Sequence, residues 1–473
     1  MSVFDMSELD KVRGLTSGFA YGVPEKYRLL DDAYEGRGGF EDSTYLIHHP
    51  REPIEKYVSR QMMAYYCNYV KPVVDAHVNP IFKTLPRRTY NSNKLFDGFI
   101  EDVDGQGTSM NRFMKKAALR SKLHGVEFVV IDNSQIEGTI TLADAVSNRI
   151  YPYLYLVSPR DVITYNLDKY GNMELIKYRL SYTEVDDNGN ISYNTETWTW
   201  TKAKWFRSNK DGDSNGINKL GVVPVVPILG ARTESDSLLP QSDIYPIART
   251  NLAIFNACSE LRERNRNQAF SLLTYPVEEA NDYDPEDTQT VGTADMLVYK
   301  STTANRPEYI SPAAEPSQML SDEITWMVQE IYRMANLQVV TGVQTQTSGI
   351  AKEWDNQQLF QTIAEFSRNL ESVEVRIASI FEKYTSSTLD FAVDYNNSFG
   401  ITDPTETLNI ATQALTLDMG PMFNIQMKQK VARDTLKDLD DQVLAKVVED
   451  VANYKNAGDP TNTDPTVLSY PNK

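Results

Sequence analysis

This chain carries little that could perform covalent chemistry. Cys67 and Cys258 are its only cysteines, and two isolated thiols make neither a disulfide framework nor a zinc site. They read as buried or half-buried free thiols in a reducing compartment. His48, His49, His77 and His124 are the only histidines, and none has metal-ligand spacing to another except the adjacent pair at 48 and 49. That pair sits in a polar loop, so all four read as surface or structural residues. There is no phosphate-binding glycine loop, nucleophile elbow or HExxH motif. No window approaches about 18 uninterrupted apolar residues, so no membrane span is expected. The first residues, Met1 to Met6, lack a basic start and an apolar core, so no signal peptide is expected either. Positive charge is also scarce. Lys and Arg number 47 against 65 Asp and Glu, a net charge of −18. Such a surface repels nucleic acid and argues against a simple DNA-binding module. It does not exclude a protein that DNA must slide past without sticking.

What is present is an ordinary globular composition, 41% hydrophobic and 24% charged over 473 residues, enough for several domains. The 27 tyrosines are amphipathic and suit interfaces, which points mildly to assembly. Residues 1–50 read as loop-rich and polar. A helical region is predicted over 53–83, kinked or divided by Pro72 and Pro80. An amphipathic helix follows over 109–123 and stops at Gly125. The period then becomes strand-like at 126–131, 151–157, 174–182, 191–202 and 222–229, with residues 186–190 as a hairpin turn. Helices first and sheet second make residues 20–235 one mixed α+β domain.

The most informative stretch runs from Gln241 to Tyr384. Ile244, Ile247, Ala248, Leu252, Phe255, Cys258 and Leu261 recur at helical steps. Residues 271–315 lose that period, and Leu272–Val277 and Met296–Lys300 read as short strands around an acidic turn at 281–287. Leu320, Ile324, Met327, Val328, Ile331 and Met334 mark a second helix. Residues 338–349 form an uncharged loop. Leu359, Ile363, Phe366, Leu370, Val373, Ile377, Ile380 and Tyr384 then mark one face of a helix over 350–384, roughly 50 Å long. A stripe of that length calls for a long partner. Further helices are expected at 404–416 and 425–455, the latter heavily charged, before a polar tail at 457–473.

Three groups of residues could suggest chemistry. Asp211, Asp213 and Asn215, with Gly216, match the first half of a calcium-binding EF-hand loop, and they are the only metal candidate. Position twelve falls on Val222, where a bidentate Glu is required, and the flanking helices are missing, so a polar turn is the better reading. Glu278 with Glu279, or Asp102 with Asp104, resemble acid/base pairs only by adjacency in an acid-rich chain. Arg262, Arg264 and Arg266 fan around their helix. They suit intersubunit or intrachain ion pairs, or contact with DNA phosphate in a channel. No catalytic residue and no cofactor is predicted.

The order of these parts resembles the portal proteins of tailed bacteriophages, the head-tail connectors. The likeness covers roughly residues 45–455 and rests on order and texture. Helix 243–268, β-like insert, helix 319–337, uncharged loop and long helix 350–384 resemble stem, clip, stem, tunnel loop and kinked helix. Residues 117–132 (AALRSKLHGVEFVVID), the Ser158-Pro159-Arg160-Asp161 turn within 153–162, and 222–229 (VVPVVPIL) resemble the family's wing domain. Residues 347–352 (TSGIAK) resemble the start of the helix after the tunnel loop. The resemblance implies an N-terminal arm (1–52), a wing domain (53–240), stem helix one (241–270), a clip (271–315), stem helix two (316–337), a tunnel loop (338–349), a long kinked helix returning to the wing (350–400), and a crown with a flexible tail (401–473). With only about 70 residues after position 400, that crown is small.

It further implies a homo-oligomeric ring of about twelve subunits at one capsid vertex of a virion, assembled in the host bacterial cytoplasm. Double-stranded DNA would pass through non-specifically during packaging and ejection. Gly342, Val343, Gln344, Thr345, Gln346, Thr347 and Ser348 would line the constriction. The large terminase subunit, the head-tail adaptor, and the major capsid and scaffolding proteins are the implied partners. The protein would not itself be an enzyme. Two rival readings exist. One is another ring-forming virion component of a tail or baseplate. The other is a soluble carboxylate-dependent hydrolase, which would be a monomer or small oligomer.

Overall fold

The structure is a computed structural model. It describes residues 23–133, 148–185, 189, 191–231, 237–268, 272–277, 296–300, 306–310, 314–337, 349–397, 399, 404–416, 420–435, 446–448 and 450–451. The chain divides into two compact units, residues 1–399 and 400–473.

The first unit begins with helix α1 (Val23–Glu35), inside a stretch expected to be loop. Its stripe of Tyr27, Leu30 and Ala33 is buried, but three apolar residues at helical spacing are easily lost among polar ones. The region read as one helix over 53–83 is two, α2 (Ile54–Met63) and α3 (Val70–Val78). It divides at 64–69 rather than at a proline. Pro72 sits in the first turn of α3, where an amide has no helical acceptor anyway. The intervening segment is held extended by Asn251. Its Oδ1 accepts from Tyr66 Oη at 2.8 Å and from the Tyr69 amide at 3.0 Å, and its Nδ2 donates to the Cys67 carbonyl at 2.9 Å.

Strand β1 (Arg87–Thr89) and helix α4 (Lys94–Glu101) follow. Neither was expected from the sequence. Asn93 caps α4 by accepting the Leu95 and Phe96 amides, a local signal for a helix start. Helix α5 (Met110–His124) ends at Gly125 with φ +91°, the left-handed terminus that glycine supplies. A Cβ there would lie 3.0 Å from the Ser242 amide, so a side chain is excluded twice over.

The sheet strands are β2 (Val126–Asp132), β3 (Tyr153–Val157), β4 (Val162–Leu167), β5 (Met173–Val185), β6 (Ile191–Thr201), β7 (Lys204–Asn209), β8 (Gly212–Ile217) and β9 (Val225–Leu229). They form two antiparallel sheets, β3-β2-β9 and the meander β4-β5-β6-β7-β8. Central β2 is covered on both faces. Val126, Phe128 and Val130 face a core shared with Ile176, Tyr178 and Trp200 of the meander. Val129 and Ile131 face the helices. This is why β2 reads as an uninterrupted apolar run rather than an alternating one.

Helix α6 (Ile244–Gln268) leads to strands β10 (Leu272–Val277), β11 (Met296–Lys300) and β12 (Glu308–Ile310), then to helix α7 (Glu315–Met334). β10 and β11 have the bounds read from sequence, and β12 completes a sheet in the order β11-β10-β12. β10 and β11 are parallel, whereas β12 runs antiparallel to β10. Helix α8 (Gly349–Thr385) is continuous over 37 residues. Strand β13 (Ala392–Asp394) then pairs with β1.

Two helical cores result. In one, α1, α3, α6 and α7 pack together around Leu30, Val74, Phe255 and Ile331. In the other, the α8 stripe is buried against Phe96 and Phe99 of α4, Met114 of α5, and the β3-β2-β9 face. The expected long partner for α8 is therefore a sheet and several short helices of the same chain.

The second unit contains α9 (Pro404–Thr416) and α10 (Pro421–Thr435), joined around Gly420 at φ +108°. The Gln429 amide donates to the Val448 carbonyl at 3.0 Å. The long charged helix expected over 425–455 is thus described only up to Thr435 and again at 446–448.

Candidate assembly elements

Three arrangements bear on function: the α6/α7 pair with its small sheet, the α8 stripe, and a basic cleft beside α5.

Helices α6 and α7 bury one face each and leave the other outside. Ile244, Ile247 and Phe255 of α6 and Met327 and Ile331 of α7 are buried, while Met319 and Trp326 are 70% and 62% exposed. Seven residues apart, Met319 and Trp326 share one face of α7. The buried stripe lies roughly 100° or more around the axis. The base of α6 is anchored firmly. Buried Arg60 grips Glu52 with two hydrogen bonds of 2.9 and 2.8 Å, and donates to Ser259 Oγ of α6 at 2.8 Å and to the Ile47 carbonyl at 2.7 Å. Four of its five N–H donors are directed into one node, an ordering device.

The predicted arginines do not converge. Arg262 is exposed and lies over the Tyr65 ring at 5.4 Å, whereas exposed Arg266 meets the Met63 sulfur. Arg264 is half-buried. No patch that could grip phosphate is formed by the three. The loop residues Gly342 to Ser348 lie outside the described residues, as do Glu278 and Glu279 and the acidic turn at 281–287.

The calcium-like segment is not a loop. Asp211 occupies the turn between β7 and β8, and Asp213 and Asn215 are within β8, paired with Ser208 and Phe206. Extended backbone cannot wrap these oxygens around one cation. Among the described residues, no group of three or more His, Cys, Asp or Glu is placed to hold a metal ion. Asp102 and Asp104 are turn-forming rather than catalytic in geometry. Asp102 accepts the Gly105 and Gly107 amides and pairs with Arg149 at 2.7 Å, and Asp104 accepts the Gln106 and Thr108 amides. Hydrogen bonds and Arg149 hold the Asp102 carboxyl below its ordinary pKa against the opposing effect of burial. The two thiols are half-buried, and burial pushes Cys258 up to about 11, so neither is a ready nucleophile.

The cleft was not foreseen. It has a volume of 810 Å³ and lies between α5, the turn Pro159–Asp161 and β5. Arg112, Lys115, Lys116 and Arg120 project from α5, and Arg160 and Arg179 from the opposite wall, against three carboxylates, Asp31, Glu35 and Asp161. Among the described residues, Arg120 of these cations makes an ion pair, 3.5 Å from Glu127, while Arg160 and Arg179 act electrostatically on Asp161. Its floor is apolar, with Leu119, Leu123, Leu156, Val157 and Leu180. At the inner end, His124 is buried with its Nε2 2.7 Å from Asp31 Oδ1 and its Nδ1 3.3 Å from Glu127 Oε2. Burial alone would lower the imidazole pKa, but the two carboxylates outweigh it and raise it to about 9. Burial raises the pKa of Glu127 in turn. The spacing 112, 115, 116, 120 was a visible sign of one basic helix face. The opposing arginines are brought there only by the tertiary fold.

No protein-family model matches the chain, and no curated protein matches it. Among solved structures, one chain from the virion of a native gene transfer agent particle is 12% identical. The match covers 89% of this chain and 98% of that one, with a TM-score of 0.39. A chain from the neck of an empty particle, computed with C6 symmetry, is 11% identical over 86% and 96% of the two chains, TM-score 0.40. A third, from the neck of a native particle computed with C12 symmetry, is 12% identical over 80% and 88%, TM-score 0.36. Superpositions at this level do not establish a shared fold, so the functional reading rests on the geometry of the chain itself.

Proposed function

We propose that this chain is a portal protein: a virion structural subunit that closes into a ring of about twelve copies around a channel for double-stranded DNA. The observation that carries the reading is the α6–sheet–α7–α8 succession. Two helices that bury an apolar face, the second of which also exposes Met319 and Trp326 on its other side, are joined by a three-stranded sheet and followed by a continuous 37-residue helix. In this reading α6 and α7 are the stem, and the β11-β10-β12 sheet is the clip that docks the large terminase subunit and later the head-tail adaptor. The α+β body is the wing that meets capsid and scaffold, and residues 338–349 are the tunnel loop. The subunit performs no covalent chemistry. Its surplus of 18 negative charges suits a conduit, because phosphates are retained by lysine and arginine.

The native mass of the purified protein, with particle images, tests this. A ring near 640 kDa, about twelve times the 53.7 kDa chain, with an open central bore is the expected result. A compact dimer or tetramer without a bore would overturn it.

A further inference from the structure

The outer face of α7 joins apolar surface to unspent negative charge. Met319, Asp322, Glu323 and Trp326 are all exposed, and their spacing of three, four and seven puts them on one side of the helix. Asp322 accepts from the neutral Gln318 amide at 2.8 Å. Neither Asp322 nor Glu323 has an ion pair among the described residues. Further along the helix Arg333 is already paired with Glu330. A helix face of this kind suits a surface that offers cations beside a ring.

The end of α6 is such a surface. Arg262 and Arg266 are four residues apart, so they rise from the same side of α6. Both are exposed, and neither has an ion pair among the described residues. The nearby carboxylates Glu260 and Glu263 act on buried Arg60. Arg262 lies 5.4 Å over the ring of Tyr65, which is 50% exposed. A guanidinium stacked on one ring can take a second ring on its opposite face. Tryptophan, tyrosine and arginine are also the side chains that dominate binding energy at protein interfaces.

The small sheet sets these two surfaces at matching heights. Leu272, at the start of β10, pairs with Ile310, at the end of β12. α6 ends at Gln268 just before the first, and α7 begins at Glu315 just after the second. The helices therefore meet the sheet side by side and run antiparallel. Measured from their sheet ends at about 1.5 Å per residue, Arg266 to Arg262 span roughly 3–9 Å and Met319 to Trp326 roughly 6–17 Å. Copies in a closed ring are related by rotation about one axis. With the stem along that axis, a contact between neighbours joins groups at one level.

We propose that the acidic, apolar face of α7 in one copy docks on the Tyr65–Arg262–Arg266 surface of the next copy. Two different surfaces of one chain then make a head-to-tail contact, the kind that closes rings. This inference rests on the ring reading above and names the surface that receives α7.

The test uses full-length protein and mass photometry over a concentration and salt series. One variant carries Arg262→Glu with Arg266→Glu, a second carries Asp322→Lys with Glu323→Lys, and a third carries all four. These side chains are exposed, and circular dichroism with thermal melting checks folding. Each of the first two should need at least about tenfold more protein to form rings, and wild-type rings should weaken as salt rises. The third should recover to within about threefold of wild type, because exchanged charges attract again across the contact. An equimolar mixture of the first two should also form rings, since every contact between unlike copies is complementary. If wild type forms rings and the first two variants do so at unchanged concentration, the docking proposal is wrong and the ring reading stands. Weakening without recovery in the third variant also overturns the docking proposal, because the two surfaces then serve different contacts. If wild type forms no ring, the ring reading fails and the proposal falls with it.

Discussion

Trp326 offers the sharpest test of the α7 face. Its side chain stands 62% exposed on the side of α7 away from the core, with Met319 beside it. A tryptophan buries on the order of 150–250 Å² when fully covered. Covering the exposed share would therefore remove on the order of 100–150 Å² from water, about 3 kcal/mol per contact. Replacing Trp326 with Ser should accordingly raise the dissociation constant of each subunit contact about a hundredfold. The fold should hardly notice, because little of the side chain is buried in the subunit. Sedimentation velocity across a dilution series reads the first effect, and urea unfolding of dissociated subunits reads the second. Trp326 emission should also shift to shorter wavelength on assembly. Rings of the variant that come apart at the wild-type concentration would refute the assignment of this face to a subunit contact. An unfolded variant would refute the reading of Trp326 as peripheral.

Other outcomes follow from buried charge. Glu374 of α8 is 1% exposed, accepts from Arg88 of β1 and from Tyr395 Oη at 2.6 Å, and Arg88 also donates to Asn111 Oδ1 at 2.6 Å. Arg88→Met should destabilise the subunit by about 3–5 kcal/mol, because a buried carboxylate loses its counter-charge; a loss below about 1 kcal/mol in urea unfolding would contradict this. His124, raised to about 9, is stabilised in its charged form by the fold. Its contribution, on the order of 3 kcal/mol, should be complete below about pH 6.5 and vanish as pH rises through about 9. His124→Gln should flatten the unfolding profile across that window, and parallel curves for variant and wild type would count against the Asp31–His124–Glu127 cluster. Deleting residues 342–348 should leave ring assembly intact and impair DNA packaging or retention, read by DNase protection; unchanged packaging would remove the tunnel-loop assignment.

How much of this was legible depended on the range of the interactions involved. The α8 stripe was visible because Leu359, Ile363, Leu370 and Ile377 all face one core, so burial and periodicity carry the same message. β10 and β11 were visible as breaks in helical period. α1 and α4 were not, since each offers only a few core residues to a distant partner. β7 and β8 were hidden because their side chains are mostly half-buried or exposed, and a solvent-facing hairpin leaves little apolar alternation. The division between α2 and α3 depends on Asn251, more than 180 positions away along the chain. The basic cleft was half legible: four cations on one face of α5 are a sequence pattern, but Arg160 and Arg179 join them only through the fold.

The distribution of apolar surface also says in what order such a ring would form. α8 has its stripe covered by the β3-β2-β9 sheet, α4 and α5 of its own chain, and the Arg88–Glu374 pair ties that helix to β1. Nothing in this core waits for a second copy. Exposed apolar groups such as Trp326 and Met319 on α7, Met62 on α2, and Val185, Ile191 and Tyr193 at the ends of β5 and β6 lie outside that core. A subunit built in this way folds first and associates afterwards, so dissociation should not be coupled to unfolding. Ile363→Asp separates the two steps from the other side. Ile363 is 1% exposed, and an unpaired carboxylate there should abolish the folded subunit rather than merely open the ring. Circular dichroism of the diluted variant decides it. Intact, soluble rings from that protein would mean that the α8 stripe is not the core on which the subunit is built.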